Sequence, residues 1–224
     1  MLKDNLSKDY LPLHQDIVLY QHKKMFRVNT DTSLLGNYLK VNKEDSVLDI
    51  GTNNGALLLY ASLYYPSKLV GIDINSEALE IARLNLESNN ISNFELVHSN
   101  IKDYISKEKY DVIVCNPPYF NTQNESLKNN NEYLKMARHE EYLLLEDLIK
   151  GVSINLKEDG IFYLIHTAPR LEEIKRCLNK YSLYIKEYTK VRDVNKENDH
   201  VVLLTINKDI NSKCIERERI IVKR

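Results

Sequence analysis

The sequence predicts an α/β fold, with a mostly parallel seven-stranded sheet, a reversed last strand and helices on both faces. Two observations carry this prediction. The middle of the chain alternates short apolar runs with longer helix-like segments, a pattern typical of a parallel sheet covered by helices. The last two strand-like runs are joined by "RDVNKEN", which is too short for a helical crossover, so they are predicted to pair antiparallel.

The predicted elements follow in order from Ser46. Five apolar runs predict parallel strands: "SVLDIG", "KLVGIDI", "FELVHS", "YDVIVCN" and "IFYLIHT". Four segments predict helices: "GALLLYASLYY", "SEALEIARLNLESNN", "EEYLLLEDLIKGVSINLK" and "PRLEEIKRCLNKY". The closing hairpin consists of "LYIKEYTKV" and "DHVVLLTI". The Asn-rich stretch "NTQNESLKNNNEYLK" lacks apolar periodicity and is predicted to be a loop.

Composition narrows the class of protein. The chain has 224 residues, which is long enough for one large domain. Its net charge is −1, so the protein as a whole is not a polycation. No apolar run is long enough for a transmembrane helix, and the polar N-terminus does not resemble a signal peptide. The three cysteines have neither metal-ligand nor disulfide spacing, so we expect a cytoplasmic protein without a metal. Cys115 is interpreted as a buried strand residue, with a nucleophile as the alternative.

Three strand ends carry candidate cofactor-binding residues. Gly51 and Gly55 allow a tight turn after the first strand, and Asp73 ends the second strand, where a carboxylate can accept both hydroxyls of a ribose. Asn100 and Ile101 end the third strand, where a side-chain amide and a backbone N–H can recognise an adenine edge. In open α/β sheets, ligands bind beyond the carboxyl ends of the strands, so these residues are predicted to form one site.

The charge of the first loop selects between two cofactors. The loop reads Gly51-Thr52-Asn53-Asn54-Gly55 and lacks the middle glycine of a dinucleotide fingerprint. Asp49 precedes it and would repel a phosphate, but it suits a cationic amino-acid group. S-adenosylmethionine (SAM) carries an ammonium and a sulfonium and no phosphate, so SAM is favoured over NAD.

The fourth strand ends in "NPPYF", residues 116–120. The Asn116 amide donates and accepts hydrogen bonds, and Pro117 and Pro118 stiffen the backbone that carries the neighbouring carbonyls. Tyr119 and Phe120 offer flat faces. Taken alone, this stretch also fits a rigid turn that only ends a strand.

In this order, "VLDIGTNNG", "GIDIN", "HSNI" and "NPPYF" resemble the class I (Rossmann-like) SAM-dependent methyltransferases. The resemblance implies methylation of a planar nitrogen, either an exocyclic base amine or a glutamine amide. It implies that Asn116 and the Pro117 carbonyl accept the two N–H groups of that amine. Tyr119 or Phe120 would stack on a flipped base.

Flanking segments resemble the bacterial tRNA1(Val) (adenine(37)-N6)-methyltransferases. The family's Thr-Asp-x-x-Leu-Leu-Gly and Arg-His-Glu segments correspond here to residues 30–36 and 138–140. The chain departs from the family at Asn53 and Asn54, where a Gly-Ser pair is commoner, which puts the contacts of that loop in doubt. From the matching Thr-Asp-x-x-Leu-Leu-Gly segment, Thr30 and Asp31 are predicted to close over SAM. His139, in the Arg-His-Glu segment, is a weaker candidate for a general base.

The resemblance divides the chain into residues 1–46, which cover the cofactor site, a methyltransferase domain of residues 47–208 and a basic tail of residues 209–224. The predicted cofactor-binding residues are Thr30, Asp31, Asp49, Gly51, Asn53, Gly55, Asp73, Ile74, Asn100, Ile101 and Asn116. Basic residues near both ends and after the Asn-rich stretch are predicted to contact tRNA phosphates: Lys23, Lys24, Arg27, Arg138, Arg217, Arg219, Lys223 and Arg224. Because the tail follows the last predicted strand, deletion of residues 217–224 is expected to cost little fold stability.

Other functions remain open on the sequence. A protein glutamine methyltransferase uses the same Asn-Pro-Pro-Tyr logic on release factors, but it usually has a longer helical N-terminal domain. Guanine-N2 methylation is a further enzyme alternative. A non-catalytic RNA-binding relic of the fold is the alternative from another class, and the intact Asp49, Asp73 and Asn116 argue against it.

Overall fold

The structure is a computed structural model, and it describes residues 5–118 and 144–223. The strands are β1 (Leu6–Leu11), β2 (His14–His22), β3 (Ser46–Ile50), β4 (Lys68–Asp73), β5 (Phe94–His98), β6 (Tyr110–Cys115), β7 (Leu156–Thr167), β8 (Tyr184–Asp193), β9 (Asp199–Asn207), β10 (Ile215–Glu216) and β11 (Ile220–Val222). The α-helices are α1 (Thr30–Tyr38), α2 (Ala56–Ser62), α3 (Ser76–Ser88), α4 (Leu145–Asn155) and α5 (Leu171–Lys180).

The main sheet has the strand order β10–β8–β9–β7–β6–β3–β4–β5, and β11 also pairs with β8. Strands β3, β4, β5, β6 and β7 pair parallel with one another. Strand β9 lies between β7 and β8 and is antiparallel to both. The seven strands from β8 to β5 therefore confirm the predicted sheet and its reversed last strand.

Apolar side chains alternate between the two faces of this sheet. Val112 and Val114 of β6 join one core cluster, with α1 and α2, and Ile113 and Cys115 join the other, with α4 and α5. Each face of the sheet is thus buried by helices, as expected for a parallel sheet. Within residues 5–118 and 144–223, no helix has the length and apolar character needed to cross a membrane.

A two-stranded antiparallel hairpin of β1 and β2 precedes the sheet, and the sequence analysis did not predict it. Asn85 of α3 and Asn89, the C-cap residue of that helix, hold its second strand. Asn85 Nδ2 donates to Tyr20 O over 2.9 Å while its Oδ1 accepts from Tyr20 N, and Asn89 bonds both backbone groups of Val18 in the same way. These amides take the place of a neighbouring strand, so α3 fixes the N-terminal segment beside the sheet.

The fourth predicted helix, residues 140–157, extends too far at its C-terminal end. It ends at Asn155, and Leu156 and Lys157 already belong to β7. Leu156 pairs with Tyr110 of β6, and Lys157 Nζ lies 2.7 Å from Asp111 Oδ1. Pairing with β6 thus determines where the helix stops, and helical periodicity cannot reveal such a long-range contact.

The C-terminal residues differ from the expected tail. Strands β10 and β11 pair parallel with β8, and Ile220 and Val222 pack against the core cluster that contains α1. Arg217 Nε donates to Glu187 Oε2 over 2.7 Å, and Arg219 ion-pairs with Asp199. The structure therefore contradicts the premise that this segment follows the last strand, and its removal is expected to lower stability. Its apolar runs are too short to predict strands on their own, and they become strands by pairing with the edge of β8.

Candidate cofactor and methyl-transfer site

The loop after β3 turns sharply at the carboxyl edge of the sheet. Gly51 and Thr52 both donate their backbone N–H to Ile72 O of β4, and Gly55 N donates to Thr52 O over 2.8 Å. Gly51 and Gly55 have φ values of 71° and 77°, in the left-handed region that favours glycine. A Cβ at Gly51 would meet no atom within 4 Å, so the backbone of this turn faces open space. The predicted glycine turn is present, and a ligand can approach it.

Asp49 is fully buried at the end of β3, directly before this loop. Thr52 Oγ1 donates to Asp49 Oδ2 over 2.8 Å, while Oδ1 has no hydrogen-bond partner among the residues that the structure describes. Burial, together with the charge of Asp73, raises the pKa of the Asp49 carboxyl to about 7. A buried acceptor atom without a donor costs free energy, so this site favours a cation or an N–H group from a ligand.

Asp73 ends β4 next to this loop. Its Oδ2 accepts the backbone N–H of Asn53 over 2.8 Å, and its Oδ1 accepts that of Asn75 over 2.9 Å. Burial raises the pKa of the Asp73 carboxyl, and these backbone donors partly offset the rise. A carboxylate has about four lone-pair sites, so Asp73 retains acceptor capacity for hydroxyl groups.

Asn53 and Asn54, where the chain departs from the family pattern, connect the loop to the N-terminal segment. Asn53 has a φ of 48°, and its Nδ2 donates to Phe26 O over 2.8 Å. Asn54 O accepts from Asn85 Nδ2, the same side chain that holds β2. The Asn53 side chain thus points to the N-terminal segment, and both asparagines help to attach the loop to that segment. The prediction that Asn53 binds the cofactor stays a prediction.

The ends of β4 and β5 supply a more apolar boundary. Ile74 is 42% exposed, whereas Ile101 is buried against Gly151 in the core. Asn100 lies between them in burial, and its Oδ1 accepts from Lys102 N over 3.0 Å. Because its side chain is buried, Ile101 offers a ligand its backbone, and the predicted contact of its N–H with adenine stays a prediction.

Helix α1 brings the N-terminal segment to the end of β6. Asn29 caps it by accepting from Thr32 N over 2.9 Å. Gly36 lets it lie against α2, since a Cβ there would come within 2.2 Å of the Tyr60 ring. Thr32 Oγ1 accepts from Asn116 Nδ2 over 3.0 Å, and Asn116 follows the last residue of β6.

Two predicted residues of α1 lie in different surroundings. Asp31 is buried, whereas Thr30 is exposed at the start of the helix. The sequence analysis missed Thr32 and Asn29, although Asn before an apolar helical run is a recognisable N-cap signal. The contact between Thr32 and Asn116 spans 84 positions of the chain and leaves no local signal.

Asn116 is half-buried, Pro117 is buried and Pro118 is exposed. Cys115 is fully buried in β6, and burial, with the nearby Asp49 and Asp73 charges, raises the pKa of its thiol. This favours the interpretation of Cys115 as a strand residue over that of a nucleophile. Several predicted site residues lie outside the described residues: Tyr119, Phe120, Arg138, His139 and Arg224.

The predicted phosphate-binding residues lie at two separate places. Lys23 and Lys24 are exposed in the turn after β2, and exposed Arg27 follows, 3.8 Å from Asp9. At the other end, Lys223 is exposed while Arg217 and Arg219 are engaged with carboxylates. Within the described residues, no group of three or more His, Cys, Asp or Glu side chains is placed to hold a metal ion.

Together, the sheet with its reversed strand, the glycine turn and the two strand-end carboxylates define a class I SAM-dependent methyltransferase. The Methyltransferase small domain family matches residues 17–203. The chain belongs to this family and, within it, to the tRNA1(Val) (adenine(37)-N6)-methyltransferases.

Relatives of similar sequence show the family, and a solved structure shows the fold. A tRNA1(Val) (adenine(37)-N6)-methyltransferase from Bacteroides thetaiotaomicron is 30% identical over 91% of this chain and 86% of its own length. One from Pedobacter heparinus is 34% identical over 70% of this chain and 67% of its own. The structure of M. jannaschii TYW2 in complex with AdoMet matches with a TM-score of 0.61 and 12% identity, over 92% of this chain and 87% of that one. At that identity, the structural match concerns the fold alone.

Proposed function

We propose that the chain transfers a methyl group from SAM to N6 of adenine 37, beside the anticodon of a tRNA. The observation that carries the proposal is the position of Asn116 and Pro117. They follow the carboxyl end of β6, and β6 pairs with β3, whose end carries Asp49 and the glycine turn. An acceptor for amine N–H groups thus lies next to a site for a cationic cofactor.

The residues at the carboxyl edge fit SAM on two observations. The unpartnered Asp49 oxygen suits an ammonium group, and the open space above Gly51 admits a ligand close to the backbone. When ionised, Asp49 would repel the phosphates of a dinucleotide, whereas a ribose-binding carboxylate such as Asp73 suits either cofactor.

Each predicted residue then has a role at a SAM site. Asp49 and the 51–55 loop would bind the amino-acid group, and Asp73 the ribose hydroxyls. Ile74 would contact the adenine face, and Asn100 and the Ile101 N–H its edge. Thr30 and Asp31 would close the site from α1.

Asn116 and Pro117 would hold the acceptor amine. An exocyclic amine is a poor nucleophile because its lone pair is delocalised into the ring. When the Asn116 oxygen and the Pro117 carbonyl each accept one N–H, the nitrogen is fixed and its electron density rises. Bound SAM supplies an electrophilic methyl group on a sulfonium. The amine lone pair forms the new N–C bond, the S–C electron pair remains on sulfur, and the extra N–H proton leaves to water.

The adenine requires a route to Asn116 and a surface for the surrounding RNA. Tyr119 and Phe120 would stack on the flipped base, which is worth about 1–3 kcal/mol per base. Phosphate contacts would come from the exposed Lys23, Lys24 and Arg27, with Arg138, Lys223 and Arg224 as further candidates.

The test is nucleoside mass spectrometry of tRNA incubated with the protein and SAM labelled in its methyl group. We expect labelled N6-methyladenosine in a tRNA1(Val) transcript, and none in a matched transcript that has guanine in place of adenine 37. Labelled N2-methylguanosine would instead indicate the guanine reaction. A labelled glutamine in a release factor, with unlabelled tRNA, would refute the RNA substrate. Retained SAM binding with no labelled acceptor would indicate a relic.

A further inference from the structure

A chain of hydrogen bonds joins the start of α1 to the amide of Asn116. Asn116 Nδ2 lies 3.0 Å from Thr32 Oγ1, and Thr32 Oγ1 lies 3.1 Å from Asn29 Oδ1. Asn29 Oδ1 is also 2.9 Å from the backbone nitrogen of Thr32. Three polar side-chain groups are thus connected in series, and the series ends on a backbone N–H.

The backbone N–H determines the direction of every bond in this series. A backbone N–H can only donate, so the Asn29 atom that faces it is the amide oxygen. That oxygen can only accept, so the Thr32 hydroxyl gives its single proton to Asn29. The Thr32 oxygen is then an acceptor toward Asn116, and the Asn116 atom that faces it is the NH₂ group.

Orientation matters because the oxygen and nitrogen of an amide have nearly the same shape. Only hydrogen-bond partners decide which of the two faces a given side. With its NH₂ group on Thr32, Asn116 turns its oxygen to the other side of the amide. An amine donor can be held by that oxygen, whereas the flipped amide would present a second donor to it.

We propose that Thr32 is a positioning residue that, with the N-cap Asn29, fixes Asn116 in the orientation in which its oxygen can accept an amine N–H. The inference rests on the proposed function for its effect on rate. The hydrogen-bond direction itself is independent of the substrate. It assigns a role to two residues that do not belong to the loop, the strand ends or the Asn-Pro-Pro-Tyr stretch.

Removal of the Thr32 hydroxyl should leave α1 folded. Leu35 and Leu39 of this region are buried in the core, and Gly36 packs against Tyr60. The Asn29 cap on the Thr32 N–H also remains. The hydroxyl can therefore be tested separately from the helix that carries it.

The experiment compares Thr32→Val, which keeps the shape and loses the hydroxyl, with Thr32→Ser, which keeps the hydroxyl. We expect Thr32→Val to lower kcat for tRNA methylation by about tenfold or more, because it removes the hydrogen bond that selects this orientation of the amide. The SAM dissociation constant and Tm should stay near those of the wild type. Thr32→Ser should retain kcat within about twofold, and Asn29→Asp, which keeps an acceptor at the cap, should do the same.

A double-mutant cycle tests whether Thr32 acts through Asn116. In an Asn116→Ala background, Thr32→Val should have no further effect on the residual rate. An equal loss in both backgrounds would overturn the inference, and so would a Thr32→Val enzyme with unchanged kcat. A loss of SAM affinity or Tm in proportion to the rate would show that the hydroxyl supports the fold instead.

A measurement without turnover keeps this result separate from the proposed function. The Asn116 NH₂ signals in an ¹⁵N-labelled protein are assigned by their loss in Asn116→Ala. One proton should exchange slowly with water in the wild type and in Thr32→Ser, and at least tenfold faster in Thr32→Val. Equal exchange in all three would refute the orientation even if tRNA is methylated. Slow exchange that depends on the hydroxyl would support the orientation even if the substrate is another amine.

Discussion

Charged side chains are arranged differently at two edges of the main sheet. One is the carboxyl edge, where β3, β4 and β6 end, and the other is the C-terminal edge, formed by β8, β10 and β11. At the C-terminal edge, acidic and basic side chains meet in pairs, such as Arg217 with Glu187 and Lys190 with Glu216. At the carboxyl edge, Asp49 and Asp73 lie close enough for the Asp73 charge to raise the pKa of Asp49, and hydrogen-bond donors rather than ion pairs hold both.

The paired charges at the C-terminal edge stabilise the fold, whereas the carboxylates at the carboxyl edge are suited to binding a ligand. Opposite charges at an exposed edge satisfy one another and contribute modestly to stability. A buried carboxylate next to a half-buried one costs stability and is typical of functional sites. The comparison therefore predicts that changes at the carboxyl edge alter chemistry and binding, while changes at the C-terminal edge alter stability.

The largest expected effect is on turnover at the carboxyl edge. Asn116→Ala removes the amide that is proposed to hold the acceptor amine, so we expect kcat to fall by about a thousandfold or more. SAM affinity, measured by calorimetry, should change little. The matched control is Asn211→Ala at an exposed position near the C-terminal edge, which should leave kcat unchanged. Near-normal turnover by Asn116→Ala would remove this residue from the mechanism.

The second effect is on stability at the C-terminal edge. Deletion of residues 215–224 removes β10, β11 and the packing of Ile220 and Val222 against the core. Loss of two partly buried aliphatic side chains costs roughly 2–4 kcal/mol, which corresponds to a Tm about 5–10 °C lower for a chain of this size. Differential scanning calorimetry measures it. An unchanged Tm would restore the view of this segment as a solvated end.

The third effect is on cofactor affinity. Asp73→Ala should weaken SAM binding by about 10–100-fold, the loss expected for charge-assisted hydrogen bonds. Asp193 offers a matched control, because its Oδ1 accepts the backbone N–H of Asn195, two residues on, as Asp73 does from Asn75. Asp193→Ala should remove the same kind of local hydrogen bond and leave SAM affinity unchanged. Equal affinity in both variants would move the ribose site away from Asp73.

The fourth effect concerns the pH dependence of Asp49, whose carboxyl pKa burial raises to about 7. An ammonium group binds the ionised carboxyl better, so SAM affinity should rise about fivefold to tenfold from pH 6 to 7.5 and then flatten. Asp49→Asn should abolish this dependence, which calorimetry at several pH values detects. A pH-independent affinity in the wild type would place the ammonium elsewhere.

The same pKa shift has a consequence for stability. A carboxyl pKa raised in the folded state means that the folded protein holds the proton more tightly than the unfolded chain. The contribution of Asp49 to stability therefore falls as pH rises from about 4 to about 7. Without SAM, the Asp49→Asn variant should have a higher Tm than the wild type at pH 8. The difference in Tm between the two proteins should shrink toward pH 5.

The sheet and the carboxyl edge were largely predictable because their signals are local. Apolar runs mark the strands, and residues at strand ends such as Asp49, Asp73 and Asn116 must meet at one edge of a parallel sheet. The hairpin of β1 and β2 was not predicted, because Asn85 of α3 and its C-cap Asn89 hold it from 65 and 71 positions away. The pairing of β11 with β8 and the contact of Thr32 with Asn116 also join residues that are far apart in the chain. Such contacts depend on the assembled fold and leave no periodicity in the sequence.

The smallest expected effect is on RNA binding. Removing one lysine–phosphate ion pair should lower the salt slope of tRNA binding by somewhat under one unit. Lys23 and Lys24 are exposed, so the double change of both to Ala should lower the slope by between one and two units. Arg217 and Arg219 are already paired with Glu187 and Asp199, so their double change to Ala should lower it less. Filter binding at several salt concentrations, with SAM affinity as the control, measures both slopes. An equal or larger reduction for the arginine pair would mean that tRNA opens these ion pairs, and the contrast between the two edges would then not extend to RNA.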